Sequence, residues 1–165
     1  MHASVGAMEP LGDVSPLYSP DLGVDAQVGR VPRESRFFIG GINSLRGYGE
    51  NAITLNGGLA LALANIELRI PVAGPFGVEC FLDAGNVWDR PQYIRARDFV
   101  APWQATHVRA GDVRYSYGIG GRLELPFGPL RVDLSRADRP DFPFTTRRHG
   151  PPLPFTYQFA IGPSF

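Results

Sequence analysis

At 165 residues the chain has room for one domain or part of one. Lys+Arg 16 balance Asp+Glu 16 and no basic run occurs, which excludes an electrostatic nucleic-acid binder. The single cysteine, Cys80, excludes an internal disulfide and a multi-cysteine zinc site.

Gly 20 and Pro 16 punctuate the chain densely, which suits short strands joined by turns better than a helical bundle. Residues 1–20 carry three prolines and no apolar run of the signal-peptide type. The longest apolar stretch, Gly57–Ala64, falls far short of a transmembrane helix. A helix-spanning membrane protein is therefore excluded, whereas a strand-spanning one is not.

Residues 1–21 read as an irregular N-terminal segment. Leu22–Val31 alternates apolar and polar residues and predicts a first short strand, ended by Pro32. Phe37–Gly49, FFIGGINSLRGYG, is too Gly-rich and polar for a helix or a strand interior and reads as a specialised loop. Gly58–Ile70 is the next strand, with Ile66, Leu68 and Ile70 opposite Asn65, Glu67 and Arg69. Pro71–Pro75 predicts a tight turn. Phe76–Trp88 follows, with Val78, Cys80, Leu82 and Ala84 opposite Glu79, Phe81, Asp83 and Gly85. After a long polar connection, Val113–Leu125 alternates Tyr115, Tyr117, Ile119 and Leu123 with Arg114, Ser116, Gly118, Gly120 and Arg122. A tight turn at Pro126–Pro129 leads to Leu130, Val132 and Leu134, which alternate with Arg131, Asp133 and Ser135. A second long connection, 136–154, precedes a last strand that sets Tyr157, Phe159, Ile161 and Phe165 opposite Thr156, Gln158 and Ala160.

The expected fold is thus all-β, an antiparallel up-and-down meander of five to six strands. Its connections alternate long and short, so every long loop falls at one end, as in outer-membrane barrels. The alternation itself fits two architectures. A soluble antiparallel β-sheet binding module would turn its charged face to water and pack its apolar face. A transmembrane β-barrel would turn the apolar face to lipid and the Gly-rich charged face to a lumen.

Four stretches in order carry a resemblance. FFIGGINSLRGY (37–48), FLDAGNVWD (81–89), YGIGGRLELPFGPLRVDLSRA (117–137) and YQFAIGPSF (157–165) resemble the loop, barrel-strand motif, penultimate hairpin and closing strand of the bacterial surface antigen superfamily. That superfamily comprises the BamA/TamA-type outer-membrane barrels and the related two-partner secretion transporters. The resemblance covers most of 22–165 and implies the C-terminal portion of a larger barrel preceded by POTRA domains, so this chain reads as a fragment. It implies location in the bacterial outer membrane, and insertion or translocation of client proteins without catalysis. The implied partners are outer-membrane lipid, the other strands of a full barrel, and client outer-membrane or secreted proteins.

For individual residues the resemblance implies an inward-folded Arg-Gly-Tyr loop, with Arg46 held by Asp83. The strand parity places Asp83 on the same face as Glu79, and Glu67 on the neighbouring strand is a second candidate partner. Gly47 would let the backbone pass close to the wall and Tyr48 would pack there. Gly40 and Gly41 form either the bend that turns the loop inward or an ordinary turn. Tyr157, Phe159 and Phe165 belong to the strand that, by the resemblance, closes the barrel. Trp88 and Trp103 fit either an aromatic girdle or buried anchors.

Enzymatic readings find little support. His2, His107 and His149 have no carboxylate at useful spacing for a metal or general-base role. Asp83 and Glu79 read better as a solvated or ion-paired wall than as a glycosidase pair, and Gly118–Gly121 lacks the strand–loop–helix setting of a nucleotide site. No cofactor, metal, nucleic acid or small-molecule substrate is expected.

Overall fold

The structure is a computed structural model that describes residues 2–8, 28, 31–99, 111–126, 128–138 and 155–162. Its strands are β1 (His2–Ala7), β2 (Ala60–Ala73), β3 (Phe76–Trp88), β4 (Arg114–Leu123), β5 (Leu130–Ala137) and β6 (Thr156–Ile161). They form one antiparallel sheet in the order β1-β2-β3-β4-β5-β6, an uninterrupted meander. The short connections β2–β3 and β4–β5 lie at one end and the three long connections at the other.

Several boundaries depart from the sequence reading. Residues 2–7, expected to be irregular, form β1 and pair with β2 from His2↔Asn65 to Ala7↔Ala60. The expected strand over 22–31 lies outside the described residues except for Val28 and Val31, and neither of these is in a strand. Both are buried against Leu59. The expected turn at Pro71 also comes later: β2 runs through Pro71 to Ala73, with a register shift between Pro71 and Ala73. A proline has no N–H for the ladder, and a bulge is where a strand tolerates one.

Which face is buried separates the two architectures. On β3, Glu79, Phe81 and Asp83 are buried, whereas Val78 and Leu82 are exposed, Leu82 by 46%. On β4, Arg114 and Ser116 are buried and Tyr117 and Ile119 exposed; on β5, Arg131, Asp133 and Ser135 are buried and Val132 exposed. Tyr157, Phe159 and Ile161 on β6 are exposed, Tyr157 by 75%. A water-soluble sheet hides its aliphatic face, because each fully buried aliphatic side chain is worth about 1.5–3 kcal/mol. Here the aliphatic face is bare and the charged face is covered, as in a strand-spanning membrane protein. β2 and β3 have 14 and 13 residues, long enough for a tilted crossing.

What covers the charged face is the 31–59 segment. Phe37 bridges Gly58 antiparallel beside the start of β2. From there Ile39, Leu45, Tyr48 and Ile53 form a small apolar cluster with Val87 and Ala137. The loop is thus packed on the inner face of the sheet, near the long-loop end.

Candidate functional site

The loop turns back at Gly40 and Gly41, whose φ values are 122° and 96°. At Gly40 a Cβ would stand 2.3 Å from the Gly49 carbonyl oxygen, so a side chain is shut out there. Ser44 closes the turn: its Oγ donates to the Gly40 carbonyl at 2.8 Å and accepts from the Gly40 N–H at 2.9 Å. The Gly41 N–H donates to the Tyr48 carbonyl at 3.2 Å, so residues 41–48 form a closed hook.

Arg46 stands at the tip of this hook and is only 2% exposed. Its Nε and Nη2 donate to Asp83 Oδ2 and Oδ1 at 2.8 and 2.7 Å, a bidentate fork that matches guanidinium to carboxylate. Its backbone N–H donates to Asp83 Oδ2 at 3.2 Å. Nη1 reaches Glu67 Oε1 at 2.9 Å and Glu79 Oε1 at 3.3 Å, and Asp133 Oδ2 lies 4.0 Å away. The guanidinium carbon sits 3.6 Å from the centroid of the Phe81 ring, a cation–π contact. Asn65 Nδ2 donates both to Asp83 Oδ1 at 2.8 Å and to the Ser44 carbonyl at 2.7 Å, tying carboxylate and loop together. Burial alone would lower the Arg46 pKa. The Asp83 hydrogen bond and charge, then the charges of Glu67 and Asp133, outweigh it and hold the guanidinium above its usual value.

Charge is balanced across the site. The acids Glu67, Glu79, Asp83 and Asp133 surround Arg46, and further arginines close the rim. Arg122 Nε lies 3.4 Å and Arg69 Nε 3.9 Å from Glu79 Oε2. Arg131 donates to Asn43 Oδ1 of the loop at 3.1 Å. Gly120, between Glu79 and Asp133 in register, leaves the space both carboxylates use: a Cβ there would meet Asp133 Oδ1 at 2.3 Å and Glu79 Cγ at 2.9 Å.

The sequence-predicted residues therefore come together unevenly. Arg46, Asp83, Glu67 and Glu79 meet in one cluster. Gly47, at φ 86°, passes over β5 and β4: a Cβ would stand 3.2 Å from the Ala137 nitrogen and 3.4 Å from Ser116 Cβ. Tyr48 is buried and its hydroxyl hydrogen-bonds Asp138, whose Oδ1 also accepts from the Tyr115 N–H at 3.1 Å. Tyr157 and Phe159 are elsewhere, on the opposite, outer face. Phe165 and Trp103 lie outside the described residues. Trp88 is a buried anchor whose Nε1 donates to the Gly111 carbonyl at 2.9 Å.

Sequence reasoning missed several participants. Asn65, Thr156 and Gln158 are neutral and polar, so parity put them on the inner face without singling them out, and Asn43 lies in the loop, where strand parity does not apply. Asp138 and a second buried polar group, Arg114 with Asn86 at 2.5 Å, were missed likewise.

A bare aliphatic face and a buried charged face with a loop clamped across it are the features of a transmembrane β-barrel wall. The Omp85 superfamily domain model matches residues 3–165, and the chain belongs to that superfamily. The match starts within β1, not at residue 22 as the sequence reading had it. Among curated relatives, outer envelope protein 80, chloroplastic, of Arabidopsis thaliana is 32% identical over 112 residues, covering 68% of this chain and 14% of the relative. Outer envelope protein 39, chloroplastic, of the same plant is 32% identical over 110 residues, 66% of this chain and 28% of the relative. The chain thus spans less than a third of either relative's length.

Proposed function

We propose that this chain forms the C-terminal wall of an outer-membrane barrel that inserts or translocates client proteins, with the Arg46–Tyr48 loop as its internal lock. The observation that carries the proposal is the Arg46 clamp on Asp83, Glu67 and Glu79. A loop whose guanidinium leaves bulk water for three carboxylates of the wall is held at a defined place inside the barrel. The action is templating and passage, not catalysis: β-strand pairing at a seam or export through the lumen. Its partners are membrane lipid on the exposed aliphatic face, the remaining strands of the barrel, and the client. The outer membrane of a bacterium was the expected host; both relatives are by name proteins of the chloroplast outer envelope. Fractionation of the source cells decides between these two membranes.

Reconstitution tests the reading. The full-length protein in phospholipid vesicles is expected to accelerate folding of an unfolded barrel client, or its passage across the bilayer, and to lose this with Asp83→Ala. A protein that is monomeric and folded in plain buffer, without detergent or lipid, would overturn the membrane reading. Normal client handling by both Asp83→Ala and Arg46→Ala would overturn the lock.

A further inference from the structure

The loop is held at a second place, away from the arginine clamp. Gln158, on the inner face of β6, reads the loop backbone as another strand would. Its Oε1 accepts from the Gly47 N–H at 3.1 Å and its Nε2 donates to the Tyr48 carbonyl at 3.2 Å. Thr156, two residues earlier on the same face, donates from Oγ1 to the Gly47 carbonyl at 3.2 Å. Three polar groups of the Gly47–Tyr48 backbone are thereby satisfied by two side chains of one strand. On its other side that strand pairs with β5, from Leu130↔Ile161 to Ser135↔Thr156.

This second attachment is chemically unlike the first. The Arg46 clamp is ionic and engages β2 and β3, whereas the Gln158 and Thr156 contacts are neutral and engage only β6. Gly47 and Tyr48 follow Arg46 directly, so the rigid hook from 41 to 48 joins the two attachments. β6 has a backbone ladder on one edge only among the described residues, and its outward side chains Tyr157 and Phe159 are exposed. Its inner face is thus tied to the rest of the wall through the loop as well as through β5.

We propose that Gln158, assisted by Thr156, is a positioning residue that couples loop docking to the order of strand β6. Strand and loop are held together, so release of either loosens the other. The proposal rests on the loop being docked in the membrane-embedded protein, as in the function proposed above.

The test uses the full-length protein in vesicles with Cys80→Ala and a reporter thiol at the buried position Leu45→Cys. Gln158→Met keeps the side chain's length and removes both hydrogen bonds. It is expected to raise the rate of thiol modification at position 45 about tenfold, the effect of losing one to two net hydrogen bonds. Hydrogen exchange at the backbone amides of 156–161 gives the reciprocal reading. Asp83→Asn, which weakens the ionic clamp, is expected to speed that exchange in the parent and to add no further acceleration when Gln158→Met is present. A modification rate within twofold of the parent, or an equal effect of Asp83→Asn in both backgrounds, overturns the coupling. If Gln158→Met does not fold, Gln158→Glu takes its place with the same two readings. Neither measurement involves a client. Lost transport with intact coupling would therefore refute the proposed function alone, and the reverse outcome would refute the coupling alone.

Discussion

Asp83→Asn is the sharpest perturbation of the loop. Asp83 is fully buried and accepts four hydrogen bonds: two from the Arg46 side chain, one from the Arg46 backbone and one from Asn65. The amide keeps the shape and one acceptor, but loses the charge and sets an NH2 group against a donor. Removing one partner of a buried ion pair costs about 3–5 kcal/mol. Glu67 and Glu79 remain on Nη1 at 2.9 and 3.3 Å and retain part of the clamp. The net effect on docking is then about 2–3 kcal/mol, or roughly 30- to 150-fold at about 1.4 kcal/mol per decade. The assay is thiol modification of Leu45→Cys in the Cys80→Ala protein, since Leu45 is fully buried while the loop is docked. A rise of that size is expected, and it should persist in molar salt because screening acts weakly on a buried pair. Modification within twofold of the parent, in a protein that still folds, would refute the clamp as the main force on the loop.

Three further outcomes follow from the same geometry. Leu82→Arg, midway along β3 on the exposed aliphatic face, should destabilise the barrel in vesicles by about 2–4 kcal/mol, read by urea unfolding; a change below about 0.5 kcal/mol would place that face in water instead. Phe81→Leu keeps bulk beneath Arg46 but removes the ring face, and should weaken loop docking by about 1–2 kcal/mol in the position-45 assay. Gly120→Ala pushes a methyl into Asp133 and Glu79 and should lower unfolding stability by about 1–3 kcal/mol, whereas Gly121→Ala, where a Cβ meets nothing within 4 Å, should change it little.

β3, β4 and β5 were legible because period-two alternation is written into them residue by residue, and β3 was placed to the residue. Alternation does not state which face meets solvent, so the choice between sandwich and barrel wall needed the resemblance first and the burial of Asp83 and Asp133 afterwards. β1 escaped notice because HASVGA is short and built of small residues with weak strand preference, beside a Pro-punctuated stretch. Arg46 and Asp83 are 37 positions apart, and parity gave only the side on which Asp83 stands. Gln158 was harder still: an inner-face amide has the same alternation as a water-facing one, and only the folded loop shows what it bonds.

The hook of residues 41–48 touches β2 at Asn65 and Glu67, β3 at Asp83, β5 at Arg131 and β6 at Thr156 and Gln158. Neighbouring strands are about 4.8 Å apart, so these attachments span an arc of roughly 19 Å along the wall. A tie between two strands that are not neighbours restrains the bend of the sheet between them. The docked loop therefore straps four strands of the sheet, β2, β3, β5 and β6, from one side. With it seated, the sheet from β2 to β6 is held by side-chain ties to one loop as well as by its backbone ladders.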